Sequence, residues 1–118
     1  MTGRAWLRML GAIAVAALAA PAGATATTVN GCVIEPGTQC HGKDLSGANL
    51  QGADLRGANL SRANLTAANL REAKLRGADL SHARLDSARL DGSNFADAKL
   101  DGASLSATSL DKAVGHNA

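Results

Sequence analysis

One apolar residue returns at every fifth position through more than half of the chain, and this spacing restricts the fold more than any other feature. The column has fourteen members, of which thirteen are leucine and one is phenylalanine. They are Leu45, Leu50, Leu55, Leu60, Leu65, Leu70, Leu75, Leu80, Leu85, Leu90, Phe95, Leu100, Leu105 and Leu110. Alanine stands two positions earlier in eleven of the fourteen repeats, so a second and smaller apolar column accompanies the first. We expect both columns to form the core.

The five-residue period fits neither a continuous helix nor a continuous strand. In an α-helix each five-residue step would turn the leucine by about 140°, so no apolar stripe could form. In a strand, side chains alternate between two faces, so an odd spacing would send successive leucines to opposite sides. The chain must therefore bend once in each repeat. Small or polar residues follow each leucine, and glycine stands second at positions 47, 52, 57, 77, 92 and 102, which suits a corner.

The repeated word itself resembles a known family. Residues 48–70 read A-N-L-Q-G-A-D-L-R-G-A-N-L-S-R-A-N-L-T-A-A-N-L. This run is similar to the pentapeptide-repeat family, whose word is A-(D/N)-L-x-x, and the match covers positions 43–112, or 70 of the 118 residues. The resemblance implies an all-β fold, a right-handed quadrilateral β-helix with four repeats per turn and the Leu or Phe and Ala columns inside. Fourteen repeats then make about 3.5 coils.

The first 24 residues have the features of a secretory signal peptide. Arg4 and Arg8 precede an apolar stretch from Met9 to Ala20, and a small-residue cleavage site ends at Ala24. A permanent membrane anchor is the alternative, but this stretch is only about twelve residues, whereas a membrane span needs about twenty. Lipid attachment at Cys32 is a second alternative. We expect a secreted, periplasmic or envelope protein of bacterial origin, with no membrane span after cleavage.

The segment 25–42 between signal and repeats is expected to cap the first coil. Turn-forming Asn-Gly and Pro-Gly pairs at 30–31 and 36–37 bracket a short apolar pair. Cys40 keeps the register of the leucine column, and Cys32 is its only partner in the chain. An exported protein with two cysteines most simply carries one disulfide, so we expect Cys32 and Cys40 to be joined.

The C-terminal segment 113–118 is too short to cover the last coil. Leu105 and Leu110 are therefore expected near an open end. Two outcomes stay open at this point: the last coil frays and its polar corners suffice, or two chains pair end to end as a homodimer.

Charge and motifs give little support for catalysis or for nucleic-acid binding. Removal of Arg4 and Arg8 with the signal leaves ten basic and ten acidic residues, a net charge of zero. His41, His82 and His116 are scattered, and twenty-residue stacking places none beside both a nucleophile and a carboxylate. Two cysteines without a histidine pair do not make a metal site. We expect a non-enzymatic protein with no cofactor, no metal and no nucleic-acid partner.

One cluster of outer residues is a candidate binding patch. With residues twenty apart stacked, Arg56 and Arg76 fall in one column with Lys74 beside them, and Arg62 and His82 share a column on the following side. The alternative is that these long side chains only cover alanine-rich walls.

The sequence suggests two alternative functions. The first is an exported, non-catalytic scaffold that is structural or binds a protein or envelope component. The second follows from the family resemblance, because some pentapeptide-repeat proteins resemble duplex DNA and bind DNA gyrase, a topoisomerase. That DNA-mimic function needs an acidic, long, dimeric rod in the cytosol, whereas this sequence is neutral and short and carries an export signal.

Overall fold

Short parallel bridges between residues twenty apart define the fold. The computed structural model describes residues 27–118, and the predicted signal peptide, 1–24, lies outside the described residues. Twelve bridges run from the pair Gln39 and Asn59 to the pair Asn94 and Val114, always with a separation of twenty. Four five-residue repeats therefore make one turn of a coil. Residues 27–118 contain no α-helix.

Backbone hydrogen bonds join each turn of the coil to the next one. Leu65 N–H donates to the Arg84 carbonyl oxygen at 2.7 Å, and Asn64 N–H donates to the Lys43 carbonyl oxygen at 2.9 Å on the turn below. Within each repeat a tight turn is closed by a bond such as that from Ala68 N–H to the Leu65 carbonyl oxygen at 3.0 Å. The same pattern recurs every five residues, so the ladder satisfies the backbone without long strands.

The second residue after each leucine has a left-handed backbone conformation. Glycine fills this corner at Gly47 and Gly52, for example, with φ of 67° and 72°. Other corners carry a side chain with φ between 56° and 61°: Arg62, Ala67, Glu72, His82, Ser87, Asp97, Ala107 and Lys112. A residue with a Cβ atom costs about 1–2 kcal/mol in this conformation. The corners are thus the strained positions of the coil.

The two inner columns form one continuous narrow core. Every column leucine from Leu45 to Leu90 is 0–3% exposed, and the alanines from Ala48 to Ala88 are also buried. Thr38 and Cys40 hold the same inner positions in the first turn. Buried Ser93 replaces one alanine, and its hydroxyl donates to the Leu90 carbonyl oxygen at 2.7 Å. The two inner columns expected from the sequence are therefore present.

A hairpin covers the N-terminal end of the coil. Strands β1 (Thr27–Val29) and β2 (Cys32–Ile34) pair antiparallel around the Asn-Gly turn. Asn30 and Gly31 have φ of 48° and 82°, the type of turn that matches the twist of a two-residue hairpin. Asn30 Nδ2 donates to the Asp44 carbonyl oxygen of the first coil at 2.7 Å.

The hairpin is also part of the core. Val29, Cys32 and Ile34 are buried and pack with the leucine columns. Cys32 and Cys40 form a disulfide, so the sequence prediction of this bond is confirmed. Covalent attachment fixes β2 to the first inner position of the coil. The first leucine, Leu45, is consequently fully buried.

The coil continues further towards the C-terminus than the sequence analysis expected. The ladder extends beyond the predicted repeat boundary at Lys112, because Phe95 N–H donates to the Val114 carbonyl oxygen at 2.8 Å and Asp97 N–H to that of His116 at 3.0 Å. Residues 113–115 therefore begin another repeat. Its leucine position is occupied by glycine, which hides this repeat from a search for the leucine column.

The apolar column opens at this end. Leu105 and Leu110 are 38% and 44% exposed, and Phe95 and Leu100 are half-buried. Val114, an outer residue bridged to Asn94, is also 43% exposed. A cavity of about 120 Å³ lies beside Leu105 and Leu110, lined only by column residues. Within residues 27–118 nothing covers these side chains as the hairpin covers Leu45. The openness expected from the sequence is observed, and Leu105 and Leu110 are only partly buried members of the predicted core ladder.

Phe95 and Gly115 form a complementary pair across neighbouring turns. A Cβ atom at position 115 would overlap the Phe95 ring, whose Cζ atom lies 2.6 Å from the place it would occupy. Phenylalanine is larger than the thirteen leucines of the column. Glycine twenty residues later supplies the space that this larger ring needs.

We predict that Gly115→Ala destabilises the protein by about 1–3 kcal/mol, because it overpacks the ring of Phe95. In the double variant with Phe95→Leu the penalty of the alanine should largely disappear. Chemical denaturation of the parent, both single variants and the double variant measures this coupling, expected at about 0.5–3 kcal/mol. Additive effects of the two substitutions would show that the ring and the glycine do not depend on each other.

Candidate functional site

The structure places four of the five predicted patch residues on two corners of the coil, and it places Lys74 on the side that ends at Arg76. Gly57 N–H donates to the Arg76 carbonyl oxygen at 2.9 Å, so Arg56 and Arg76 are stacked on adjacent turns as the sequence predicted. Arg62 N–H donates to the Ser81 carbonyl oxygen at 2.8 Å, which brings Arg62 beneath His82 on the next corner. The two pairs therefore flank one side of the coil.

Carboxylates neutralise part of this patch. Arg56 makes a two-pronged contact with Asp54, with Nε–Oδ1 and Nη2–Oδ2 distances of 2.7 and 2.6 Å. Arg76 Nε lies 3.4 Å from Asp97 Oδ2. The Arg56 hydrogen bond holds the pKa of Asp54 below its ordinary value. The sequence analysis missed both pairings, because Asp54 contacts a residue two positions away and Asp97 a residue that is not twenty positions away.

The other three members of the patch are not paired with carboxylates. Arg62, Lys74 and His82 are exposed and form no ion pair with a carboxylate within residues 27–118. The His82 ring leans over Gly102 of the next turn, where a Cβ atom would lie only 2.5 Å from Nδ1. Three of the five predicted patch residues are thus available to a partner without breaking an internal ion pair.

Two outer aspartates accept hydrogen bonds from serines of the following corner. Asp44 accepts from the Ser46 hydroxyl at 2.7 Å and from the Ser46 N–H at 3.1 Å. Asp79 accepts from the hydroxyl and N–H of Ser81 in the same way. These bonds, the hydroxyl first, lower the pKa of both carboxyls from their ordinary value.

Two further aspartates join one turn of the coil to the next. Asp86 accepts from the Ser104 hydroxyl, and Asp91 accepts from the Ser109 hydroxyl. The pKa of each carboxyl is lowered, chiefly by its serine hydroxyl. The ionised form of these side chains therefore favours the stacked coil.

One histidine and one serine meet in a way that the sequence analysis did not anticipate. His41 Nδ1 lies 2.7 Å from Ser61 Oγ on the next turn. The single hydroxyl proton of Ser61 is donated to Asn59 Oδ1 at 2.6 Å, so the His41 ring nitrogen must donate to Ser61 rather than accept from it. A general base would need the opposite direction. The pair therefore does not activate a nucleophile.

A shallow groove of about 310 Å³ lies on another corner of the coil. Its lining consists of Gln51, Arg71, Glu72, Asp91, Gly92, Asp111 and Lys112. The sequence analysis did not single out these residues. A signal was present, since glycine and a charged residue alternate at twenty-residue steps along the corner column 52, 72, 92 and 112.

The described part of the chain offers neither a metal-binding cluster nor a membrane-spanning helix. Residues 27–118 contain no group of three histidine, cysteine, aspartate or glutamate side chains placed to hold a metal ion. Over the same range, no helix combines the length and the apolar character that crossing a membrane requires.

Comparison with known families agrees with the coil geometry. The family described as pentapeptide repeats matches residues 44–81 and 78–114, in eight copies. The chain belongs to the pentapeptide repeat family. Proteins of this family form right-handed quadrilateral β-helices, so the predicted all-β fold class is confirmed. They are generally structural or binding modules rather than enzymes.

Solved pentapeptide repeat proteins resemble this one over part of their length. A protein from the cyanobacterium Cyanothece 51142 is 36% identical with a TM-score of 0.64, covering 65% of this chain and 52% of its own. HetL from Nostoc sp. strain PCC 7120, involved in heterocyst differentiation regulation, is 41% identical over 64% of this chain and 37% of its own, with a TM-score of 0.38. A protein from the Arabidopsis thaliana thylakoid lumen is 34% identical over 64% of this chain and 60% of its own, with a TM-score of 0.42.

This pentapeptide repeat protein spans about half the length of the Cyanothece protein. No curated protein matches it.

The aspartate pKa values predict acid sensitivity of this pentapeptide repeat protein. A carboxyl whose pKa is lowered by folding stabilises the folded state above its unfolded pKa, and this contribution is lost as the pH falls. The melting temperature should therefore be flat near neutral pH and fall between about pH 4 and pH 2. Carbon-13 titration of the carboxyls of Asp79 and Asp86 gives the pKa values directly. The pKa of Asp79 should rise towards its ordinary value in Ser81→Ala, and the pKa of Asp86 should rise in Ser104→Ala. Ser87→Ala serves as the control.

Unchanged carboxyl titration in the two serine variants would contradict the assigned cause. A melting temperature that does not fall on acidification would contradict the linkage to stability.

Proposed function

We propose that this pentapeptide repeat protein is an exported, non-catalytic scaffold that binds a protein or another component of the cell envelope through its outer surface. The buried Cys32–Cys40 disulfide is the observation that supports export, because such bonds persist in oxidising compartments. The signal features of residues 1–24 point the same way. Cleavage near Ala24 would leave the hairpin intact, since β1 begins at Thr27.

Binding is favoured over catalysis by the way the residues are used. The side chains of the two inner columns pack in the core. Many polar outer residues form hydrogen bonds to neighbouring residues of the coil, so they are not arranged around a reacting group. We further propose a coil of about three and a half turns, whose sides present outer residues at a spacing of about 4.8 Å. Such a regular surface suits an extended contact with a partner.

The contact surface that we propose is centred on Arg62, Lys74 and His82. These side chains are exposed and have no internal carboxylate to release. Arg56 and Arg76 contribute less, because a partner would compete with Asp54 and Asp97 for them. A partner with acidic groups fits this surface best.

Capture of partners by the purified mature chain tests this function. Envelope and culture components are applied to the immobilised parent, to an Arg62→Ala/Lys74→Ala variant and to a matched Arg89→Ala/Lys112→Ala variant, which loses the same charge away from Arg62 and His82. We expect one component to be retained by the parent and the matched control and lost by the first variant. The affinity of this component for the parent should fall as the salt concentration rises.

Two results would contradict the proposal. Mature protein found only inside the cell with an intact N-terminus would remove the export argument. Equal capture by both double variants would remove the assigned surface.

We also propose that two chains pair through their C-terminal coils. Leu100, Leu105 and Leu110 have ladder N–H groups that donate no hydrogen bond within residues 27–118. The hairpin covers the opposite end, so head-to-tail stacking is blocked and a symmetric contact between two C-terminal ends is favoured.

The charges of the last turn permit this contact. Lys99 and Lys112 are balanced by Asp101 and Asp111, so two such ends do not repel each other. The exposed apolar side chains of the same turn would become buried in the contact.

The mass of the mature chain in solution tests the pairing. Sedimentation equilibrium of the parent should show a concentration-dependent dimer, and Leu105→Ser/Leu110→Ser should shift it to monomer because it removes the apolar contact. A parent that stays monomeric over the whole accessible concentration range would refute the dimer without affecting the proposed binding surface.

A further inference from the structure

The groove formed by Gln51, Arg71, Glu72, Asp91, Gly92, Asp111 and Lys112 lies diagonally across the coil from Arg62 and His82. Ladder bonds stack its walls: Glu72 N–H donates to the Asp91 carbonyl oxygen at 2.9 Å, and Gly92 N–H donates to that of Asp111 at 2.9 Å. Gly92 therefore sits between the charged corner residues Glu72 and Lys112. Gly92 has no side chain of its own, and the Glu72 side chain leans towards it, with Cγ 3.3 Å from the place that a Cβ atom at position 92 would occupy.

The groove offers charges of both signs. Arg71 and Lys112 are basic, and Glu72, Asp91 and Asp111 are acidic. No two of them come within ion-pair distance of each other in the described part of the chain. Glu72 has one weak partner inside the groove, the Gln51 side-chain amide at 3.4 Å. These charges are therefore available to a ligand.

Only one of the two oxygens of the Asp91 carboxylate accepts hydrogen bonds within residues 27–118. Its Oδ1 atom accepts from Asp111 N–H at 2.9 Å and from the Ser109 hydroxyl. Its Oδ2 atom accepts no hydrogen bond within residues 27–118. One oxygen fixes the side chain to the coil, and the other is left for a donor in the groove.

The two corner side chains of the groove are not required by the fold. Glu72 and Lys112 have φ of 59° and 60°, whereas Gly52 and Gly92 of the same column have φ of 72° and 71°. Glycine adopts this left-handed conformation without steric cost, and a residue with a Cβ atom does not. Glycine at position 72 or 112 would therefore fit the backbone, so each charge can be removed without straining the coil.

We propose that this groove binds a short zwitterionic peptide, with its amino group at Glu72 and Asp91 and its carboxylate at Lys112. Two turns separate the backbones of Glu72 and Lys112, about 9.5 Å at the usual spacing of strands. An extended peptide of three residues spans about 10 Å. Arg71 at the lower end of the groove is placed to donate to a peptide carbonyl oxygen.

The charges of the lining favour a ligand that carries charges of both signs. Gly92 is its only residue without a polar side chain, so an apolar molecule would gain little. A simple cation would be repelled by the two basic residues, and a simple anion by the three acidic ones. Because the groove is open to water, the affinity should be modest, on the order of millimolar.

Titration of the isotope-labelled mature chain with triglycine tests the site. Saturable shifts are expected at the backbone amides of residues 72, 92 and 112. Triglycine blocked by N-acetylation or by C-terminal amidation should bind several-fold more weakly, because each lacks one of the two charges.

Glu72→Gly and Lys112→Gly should each weaken binding of unblocked triglycine while the coil keeps its melting temperature, since glycine already occupies this corner column. Ser87→Gly, a left-handed corner on the neighbouring column, should bind as the parent does.

Each arm of the experiment can overturn the proposal. Absence of saturable shifts in the parent, or equal binding of the blocked and unblocked peptides, rules out a zwitterion site whatever the variants do. Undiminished binding by both glycine variants shows that triglycine binds elsewhere. None of these results bears on export or on the surface at Arg62, because this inference does not rest on either.

Discussion

The backbone ladder between residues twenty apart is the constraint on which the rest of the structure depends. Each repeat is too short to bury an apolar face by itself, and only stacking on the turn below completes both its hydrogen bonds and its packing. The leucine column can be continuous only while the separation of bridge partners stays at twenty. This requirement forces a corner at every fifth residue. The coil accepts left-handed strain at corners such as Arg62 and Glu72, where ladder bonds to the adjoining turns hold the backbone.

The two ends of the coil differ in structure from its middle and from each other. At the N-terminal end, the hairpin of β1 and β2 supplies three buried side chains and a covalent bond to Cys40. At the other end Leu105 is 38% exposed, although it belongs to the same column as the fully buried Leu45. Burial in this protein is therefore a property of position along the coil as much as of residue type.

Function is left to the outer side chains, and their value depends on which of them pair with one another. Arg56 and Arg76 look equivalent to Arg62 in the sequence, yet each has a carboxylate partner and Arg62 has none within the described residues. Likewise the acidic and basic residues around Gly92 line one groove, and none of them pairs with another at ion-pair distance within residues 27–118. The coil thus separates charges that a compact surface would allow to neutralise each other.

The amino-acid sequence determined that this chain forms a coil with its leucines inside, because a five-residue period fits neither a continuous helix nor a continuous strand. The four sides and the right-handed sense were implied by the resemblance to the pentapeptide-repeat family. The sequence also identified the inner columns and the Cys32–Cys40 bond, since both follow from register and from the number of cysteines. The sequence did not determine how side chains lean between turns, which is a matter of local space and donor geometry. For that reason the Asp54–Arg56 pairing, the Phe95 ring over Gly115 and the groove at Glu72 and Lys112 emerged only from the folded chain. A repeat specifies which residues stack, but three-dimensional contact decides which of them remain free to bind.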